Sequence, residues 1–224
     1  MKVILFGATG MVGQSVLREC LLDPAIESVL AVVRTPGVPP APKLHELVHK
    51  DFLDFSSAAE ALANYAACFW CLGVTSAGMS EEEYSRVTYG FTMAAARVLV
   101  ARNPAMTFVF VSGASTDASE GGGVMWARVK GKTENAVARL PFKATYMFRP
   151  GVIQPLHGVT SKTRSYRILY AAMTPFFPLL KLVAPKLVTT SELLGRAMIS
   201  VAKRGAGKTV LENADINAIG QSAT

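Results

Sequence analysis

The sequence predicts an α/β fold: a doubly wound parallel sheet with helices on both faces and a small C-terminal substrate or lid region. Three observations carry that expectation. Lys2-Val-Ile-Leu-Phe6 runs directly into Gly7-Ala8-Thr9-Gly10-Met11-Val12-Gly13, which reads as a buried strand, a three-glycine turn and the start of an apolar helix. Strand-like and helix-like patterns then alternate as far as Phe148. Ser28–Val33 is a continuous apolar run of the kind that parallel sheets bury on both faces.

Taken in order, residues 2–7 form the first strand. Residues 11–22 form a helix with Val12, Val16, Leu17 and Leu21 on one stripe, stopped by Asp23-Pro24. A second strand spans 28–33, and a proline-rich loop follows (Pro36, Pro39, Pro40, Pro42). Leu44–His49 reads as a strand, 56–63 as a short helix and 66–72 as a fourth strand. Residues 81–101 form a long helix with Tyr84, Val87, Phe91, Ala94 and Val98 expected to face inward. Met106–Val111 is a strand, 124–139 a helix and Ala144–Phe148 a strand. The pattern changes after Pro150. Residues 151–189 hold His157, the basic Lys162, Arg164 and Arg167, and an apolar stretch broken by Pro175, Pro178 and Pro185. This segment is expected to cover a substrate site. Thr189-x-x-Glu192 reads as a capping box opening a last helix to about Arg204, and the tail from Thr209 as an edge strand.

Length and composition point to one domain over residues 1–224. Hydrophobic residues make up 50% and charged residues 17%, which excludes a disordered chain. No apolar stretch is long enough to span a bilayer, and the first is too short for a signal-peptide core, so the expected address is cytoplasmic. The net charge of +7 comes from scattered basic residues without interleaved aromatics. That argues against a nucleic-acid face and suits an anionic cofactor. Basic residues ahead of the apolar 169–187 stretch keep peripheral membrane contact open as an alternative to the lid. Cys68 and Cys71 form C-x-x-C, but on a strand they point to opposite faces and read as core residues. His45 and His49 share a face without a third ligand, so no metal site is expected. Gly207-Lys208-Thr209 imitates the end of a P-loop, but it lacks the first glycine and follows a helix.

The glycine turn has the chemistry a dinucleotide pyrophosphate needs. It combines a tight turn, a close backbone approach and unpaired N–H groups at a helix N-terminus. Ligands of a doubly wound sheet bind beyond the carboxyl ends of its strands, so the residues after each strand matter most. Arg34 follows the second strand where a ribose-binding acid would otherwise stand; a guanidinium there favours a 2′-phosphate, hence NADP(H) over NAD(H). Asp51-Phe52 follows the third strand, Leu72-Gly73-Val74-Thr75 the fourth, Ser112-Gly113-Ala114-Ser115 the fifth and Arg149-Pro150-Gly151-Val152-Ile153 the sixth.

As an ordered set, these motifs resemble the short-chain dehydrogenase/reductase superfamily, in particular its atypical and extended branches. Those branches include the epimerase-like NAD(P)-binding Rossmann proteins and the Tat-interacting oxidoreductase branch. The resemblance covers roughly residues 1–155 and the final helix. It implies that Gly7, Thr9, Gly10, Met11, Val12 and Gly13 hold the pyrophosphate and that Arg34 selects the 2′-phosphate. It places Asp51 and Phe52 at the adenine, Leu72, Gly73 and Val74 at the ribose, and Pro150, Gly151, Val152 and Ile153 beside the nicotinamide. Lys130 would hold the nicotinamide ribose, and Ser112 or Ser115 would orient a substrate oxygen. The family's Tyr-x-x-x-Lys appears here as Trp126-Ala127-Arg128-Val129-Lys130, with the tyrosine replaced. An indole N–H donates a hydrogen bond but does not exchange its proton near neutral pH. Thr88 falls about where the superfamily often has Asn, and Tyr166 or Tyr170 is a candidate substitute phenol.

The expected function is therefore that of an NADP(H)-dependent oxidoreductase acting on a carbonyl of a small or apolar molecule. The alternative is a non-catalytic NADP(H)-binding sensor or partner module, motivated by the missing tyrosine. A homodimer through the long helix and its neighbour is the arrangement the resemblance suggests.

Overall fold

The computed structural model of the chain describes residues 1–159, 177–184 and 186–223. A seven-stranded, all-parallel sheet runs through it. Its strands are β1 (Lys2–Phe6), β2 (Ser28–Val33), β3 (Leu44–Val48), β4 (Ala67–Trp70), β5 (Thr107–Val111), β6 (Ala144–Arg149) and, at the edge, β9 (Val210–Glu212). The order is β3-β2-β1-β4-β5-β6-β9, so the winding reverses between β1 and β4. A short parallel pair, β7 (Val152–Gln154) with β8 (Val188–Thr190), sits beside the main sheet. The helices are α1 (Met11–Leu22), α2 (Glu81–Ser85), α3 (Phe91–Arg102), α4 (Met125–Ala138), α5 (Phe177–Val183), α6 (Ser191–Arg204) and α7 (Asn213–Gln221). This is the doubly wound Rossmann architecture that the sequence predicts.

Two apolar cores, one on each face, follow from the strand period of two. Val3 and Leu5 pack with α1 and α6 residues such as Val16, Leu194 and Met198. Ile4 and Phe6 face the other way, against Phe52, Phe55, Trp70, Leu99 and Phe108. Phe6 lies edge-on to Phe55, with ring centroids 5.8 Å apart, and 4.4 Å from Trp70. Burying each such side chain stabilises the fold by roughly 1.5–3 kcal/mol. Cys68 belongs to the second core and Cys71 packs against the first, so the C-x-x-C pair is split across the sheet as its odd spacing predicts.

Four local expectations are corrected. The long helix is interrupted by a π-turn at Arg86–Gly90. The extra residue in that turn rotates the buried stripe onto Thr88, Thr92, Met93, Ala95, Ala96 and Leu99, and leaves Val87, Phe91, Ala94 and Val98 only partly buried. The helix cap is Thr190, not Thr189. Thr189 is held in β8 opposite Ile153, and the Thr190 hydroxyl accepts the Leu193 N–H at 3.1 Å. The helix to Arg204 is not the last, because the edge strand from Val210 leads into α7. The 56–63 helix shortens to a 3₁₀ turn over Ser56–Ala58. Most of the basic and apolar stretch expected to form the lid, with Lys162, Arg164, Tyr166, Arg167 and Tyr170, lies outside the described residues.

Candidate functional site

The turn between β1 and α1 is fixed by steric need. Gly7 has φ +81°, a conformation that a Cβ strains, and a Cβ there would stand 2.7 Å from the Cys71 carbonyl. A Cβ on Gly13 would stand 2.0 Å from the Gly7 carbonyl oxygen. These two glycines therefore let the helix start close against the strand. Gly10 is different. It caps α1 with no side-chain bond to the first turn, and its Cβ would meet only the Gly7 oxygen, at 3.4 Å. The fold tolerates a side chain there, so the space beside Gly10 is available to a ligand.

That space is the end of a cleft of about 660 Å³ beyond the carboxyl ends of β1, β4, β5 and β6. The cleft brings together Gly10, Met11 and Val12 with Leu72, Gly73 and Val74. On its far side it is lined by Ser112, Trp126, Lys130 and the run Pro150, Gly151, Val152 and Ile153. Residues so placed in sequence converge only because four parallel strands end at one edge. Sequence reasoning did not single out Cys71, Val111 or Leu187 as cleft residues. Their signal was available in part, since Cys71 and Val111 end their strands next to residues that were recognised.

Other expected positions stand elsewhere. Gly7 lies in the turn and Gly13 in the first turn of α1, and neither lines the cleft. Thr9 borders a second, more apolar groove of about 680 Å³ between α1 and the 37–41 loop. Arg34 is exposed just past β2. Asp51 is exposed and accepts the Leu53 N–H, whereas the Phe52 ring is packed into the second core between Phe6, Phe55 and Phe91. Ser115 is exposed, with φ +67°, and does not line the cleft.

Ser112 and Lys130 are joined by a polar network beneath the cleft. The Ser112 hydroxyl donates to Glu134 Oε1 at 2.5 Å and contacts the Phe148 carbonyl at 3.1 Å. Its own carbonyl accepts from Lys130 Nζ, which also reaches the Val111 carbonyl at 3.5 Å. Glu134, buried at 3% exposure, is clasped by Arg149 through Nε at 3.1 Å and Nη2 at 2.5 Å. That hydrogen-bonded carboxylate raises the Arg149 pKa further, so the guanidinium stays charged. Lys130 is half-buried; burial lowers its pKa from the ordinary lysine value to about 8, and the nearby Glu134 opposes that shift. Burial pushes the Cys71 thiol up, so it is neutral and unreactive across the physiological range. Trp126 lies in the first turn of α4 with its ring beside Gly113. Thr88 is buried in the π-turn and does not line the cleft.

No family model matches the chain. Curated relatives do. "Protein fmp52, mitochondrial" of Aspergillus clavatus is 35% identical over 159 residues, covering 68% of this chain and 66% of the relative. "Protein fmp52-1, mitochondrial" of Aspergillus terreus is 32% identical over 158 residues, with the same shares. The chain thus spans just under two thirds of the length of these relatives. Their names correct the cytoplasmic address expected from the sequence, since each is called mitochondrial. Among solved structures, a short-chain dehydrogenase/reductase family oxidoreductase from Burkholderia thailandensis superposes with a TM-score of 0.66 at 15% identity, over 96% of this chain and 92% of that one. The dTDP-glucose 4,6-dehydratase DesIV from Streptomyces venezuelae, solved with NAD bound, gives 0.67 at 16% identity, over 99% and 80%. ADP-L-glycero-D-manno-heptose-6-epimerase from Helicobacter pylori gives 0.65 at 12% identity, over 99% and 81%. The fold of this chain is that of the NAD-binding short-chain dehydrogenase/reductase and epimerase proteins.

Proposed function

We propose that the chain binds NADP(H) in the 660 Å³ cleft and acts there as an oxidoreductase on a carbonyl of a small or apolar molecule. The observation that carries this reading is the convergence of the Gly10 helix start, Lys130 and the 150–153 run on one cleft at the sheet's carboxyl edge. The residues fit the dinucleotide. Gly10 leaves the first turn of α1 bare, and the helix start attracts an anion. Gly73 adds no side chain to the cleft wall, and a Cβ there would meet nothing within 4 Å. Lys130 Nζ supplies a cation and donors for ribose hydroxyls, and Pro150–Ile153 the apolar border.

When bound, a reduced nicotinamide supplies a hydride. Trp126 Nε1–H is a donor suited to orienting an oxygen, not to protonating it. Among the described side chains lining the cleft, Lys130 is the one that titrates near neutral pH, so its Nζ is the group able to hold and release a proton there. Val74, Val152 and Leu187 line the cleft and are exposed, which favours an apolar substrate. A second reading, a cofactor-sensing module without turnover, draws on Trp126 at the tyrosine position. It predicts tight dinucleotide binding, no cofactor-coupled turnover across a panel of aldehydes and ketones, and a partner affinity that changes with NADPH.

Two outcomes test the cofactor part. Arg34→Ala is expected to weaken NADPH binding by roughly 10- to 100-fold, because charge-assisted bonds to a 2′-phosphate are lost, and to leave NADH binding unchanged. Equal weakening of both cofactors would remove Arg34 from the selectivity role. NADPH affinity is also expected to fall several-fold as pH rises through about 8, because the Lys130 ammonium that attracts the anion is then lost. In Lys130→Ala that pH dependence disappears and affinity is low throughout. A wild-type affinity flat from pH 7 to 9.5 contradicts the assignment of Lys130.

A further inference from the structure

Beneath the cleft lies a buried acid that the proposed chemistry does not use. Glu134 sits on α4 one helical turn beyond Lys130. It is 3% exposed and binds three groups at the ends of two strands: the Ser112 hydroxyl just past β5, and Arg149 Nε and Nη2 at the end of β6. A buried carboxylate costs folding free energy unless it is paired and hydrogen-bonded, and this one is both. Its partners are not arbitrary. Ser112 takes hold of Lys130 through its carbonyl and of Glu134 through its hydroxyl. Arg149 is the residue immediately before the Pro150–Ile153 run, and its Nη1 reaches Glu212 on the edge strand at 3.3 Å. One carboxylate therefore links α4, β5 and β6 where all three approach the cleft.

From this we infer that Glu134 is a positioning residue: acting through Ser112 and Arg149, it fixes the Lys130 ammonium and the start of the 150–153 run on the cleft wall. Ser112, expected to orient a substrate oxygen, is part of this brace in the free protein: its one hydroxyl proton goes to Glu134 or to the Phe148 carbonyl. The inference concerns the free protein. It rests on the proposed function only in that the cleft is taken as the working site.

The groups around Lys130 define what a test must show. Glu134 faces it from its own helix. The Val111 and Ser112 carbonyls face it from β5, the neutral Cys71 thiol shares the cleft from the end of β4, and Arg149 stands behind Glu134 on β6. Removing the Glu134 charge takes away the one anion that acts on Lys130 among the described residues and leaves the Arg149 cation without its main partner. Both changes disfavour a protonated Lys130.

The experiment is competitive trace acetylation of the ligand-free full chain across pH 6–11, read by mass spectrometry at Lys130. In Glu134→Gln the midpoint is expected to fall by about half a unit or more below wild type. Glu134→Asp, which keeps the charge but shortens its reach, is expected to shift it the same way by less. Circular dichroism checks that each variant is folded. If Glu134→Gln does not fold, Glu134→Asp decides. An unchanged midpoint in the folded variants overturns the inference. Because the readout needs no cofactor, a wild-type chain that fails to bind NADPH sinks the functional reading and leaves this result standing on its own.

Discussion

Gly10→Asp is expected to abolish NADPH binding while leaving the fold as stable as wild type or slightly more so. The two halves of that result have separate causes. Gly10 caps α1 at φ −84° and ψ 165°, an extended conformation that aspartate adopts without strain, and no side chain now caps the helix. Aspartate is a preferred cap, worth a few tenths of a kcal/mol over glycine, and its charge suits a helix N-terminus. The Cβ meets nothing closer than the Gly7 oxygen at 3.4 Å. A carboxylate at the mouth of an anion site, however, opposes the pyrophosphate. At about 4 Å and an effective dielectric near 20, the repulsion is about 3–4 kcal/mol, on the order of 100-fold or more in affinity. Thermal unfolding and quenching of the protein's tryptophan fluorescence by NADPH measure the two halves. Retained affinity in a folded Gly10→Asp protein would place the pyrophosphate elsewhere.

Gly13→Ala should do the opposite. A single methyl there stands 2.0 Å from the Gly7 carbonyl oxygen and 2.6 Å from its carbon, both backbone atoms that no rotamer change moves aside. Relief requires α1 to shift away from β1. That shift loosens Val16, Leu17 and Cys20 from the core they share with Val3, Leu5 and α6. Overpacking of this severity costs about 3 kcal/mol or more, a large share of a domain's stability. Urea unfolding of the purified variant checks it. A loss under about 1 kcal/mol would show that the turn relaxes easily and that close helix–strand contact is not what Gly13 provides. The contrast between positions 10 and 13 would separate the ligand role proposed for Gly10 from the packing role of Gly13.

How much of this was legible in the sequence depends on how local each constraint is. The glycine turn was legible because its demands act within seven residues. The parallel sheet was legible because buried strands are apolar on both faces, as Ser28–Val33 shows. The cleft wall was half legible, because strand ends converge in this architecture whatever their sequence. The π-turn was not, since Arg86–Gly90 has ordinary helical composition and the extra residue answers to packing. Nor was the cap, because pairing of β7 with β8 extends the strand through Thr190. Glu134 was least visible. A glutamate four residues after a lysine on a helix reads as a surface pair. It becomes a buried brace only when β5 and β6 carry Ser112 and Arg149 to it. The partners of the Ser112 hydroxyl were hidden for the same reason, as they lie 22 and 36 residues away.

The central claim is that the cleft binds a dinucleotide with a 2′-phosphate. Calorimetric titration of the wild-type chain with NADPH and, separately, with NADH at pH 7 tests it most directly. The account predicts one NADPH per chain, bound at least tenfold more tightly than NADH. Equal affinities would contradict the role of Arg34, and no heat from either cofactor would contradict the cleft itself.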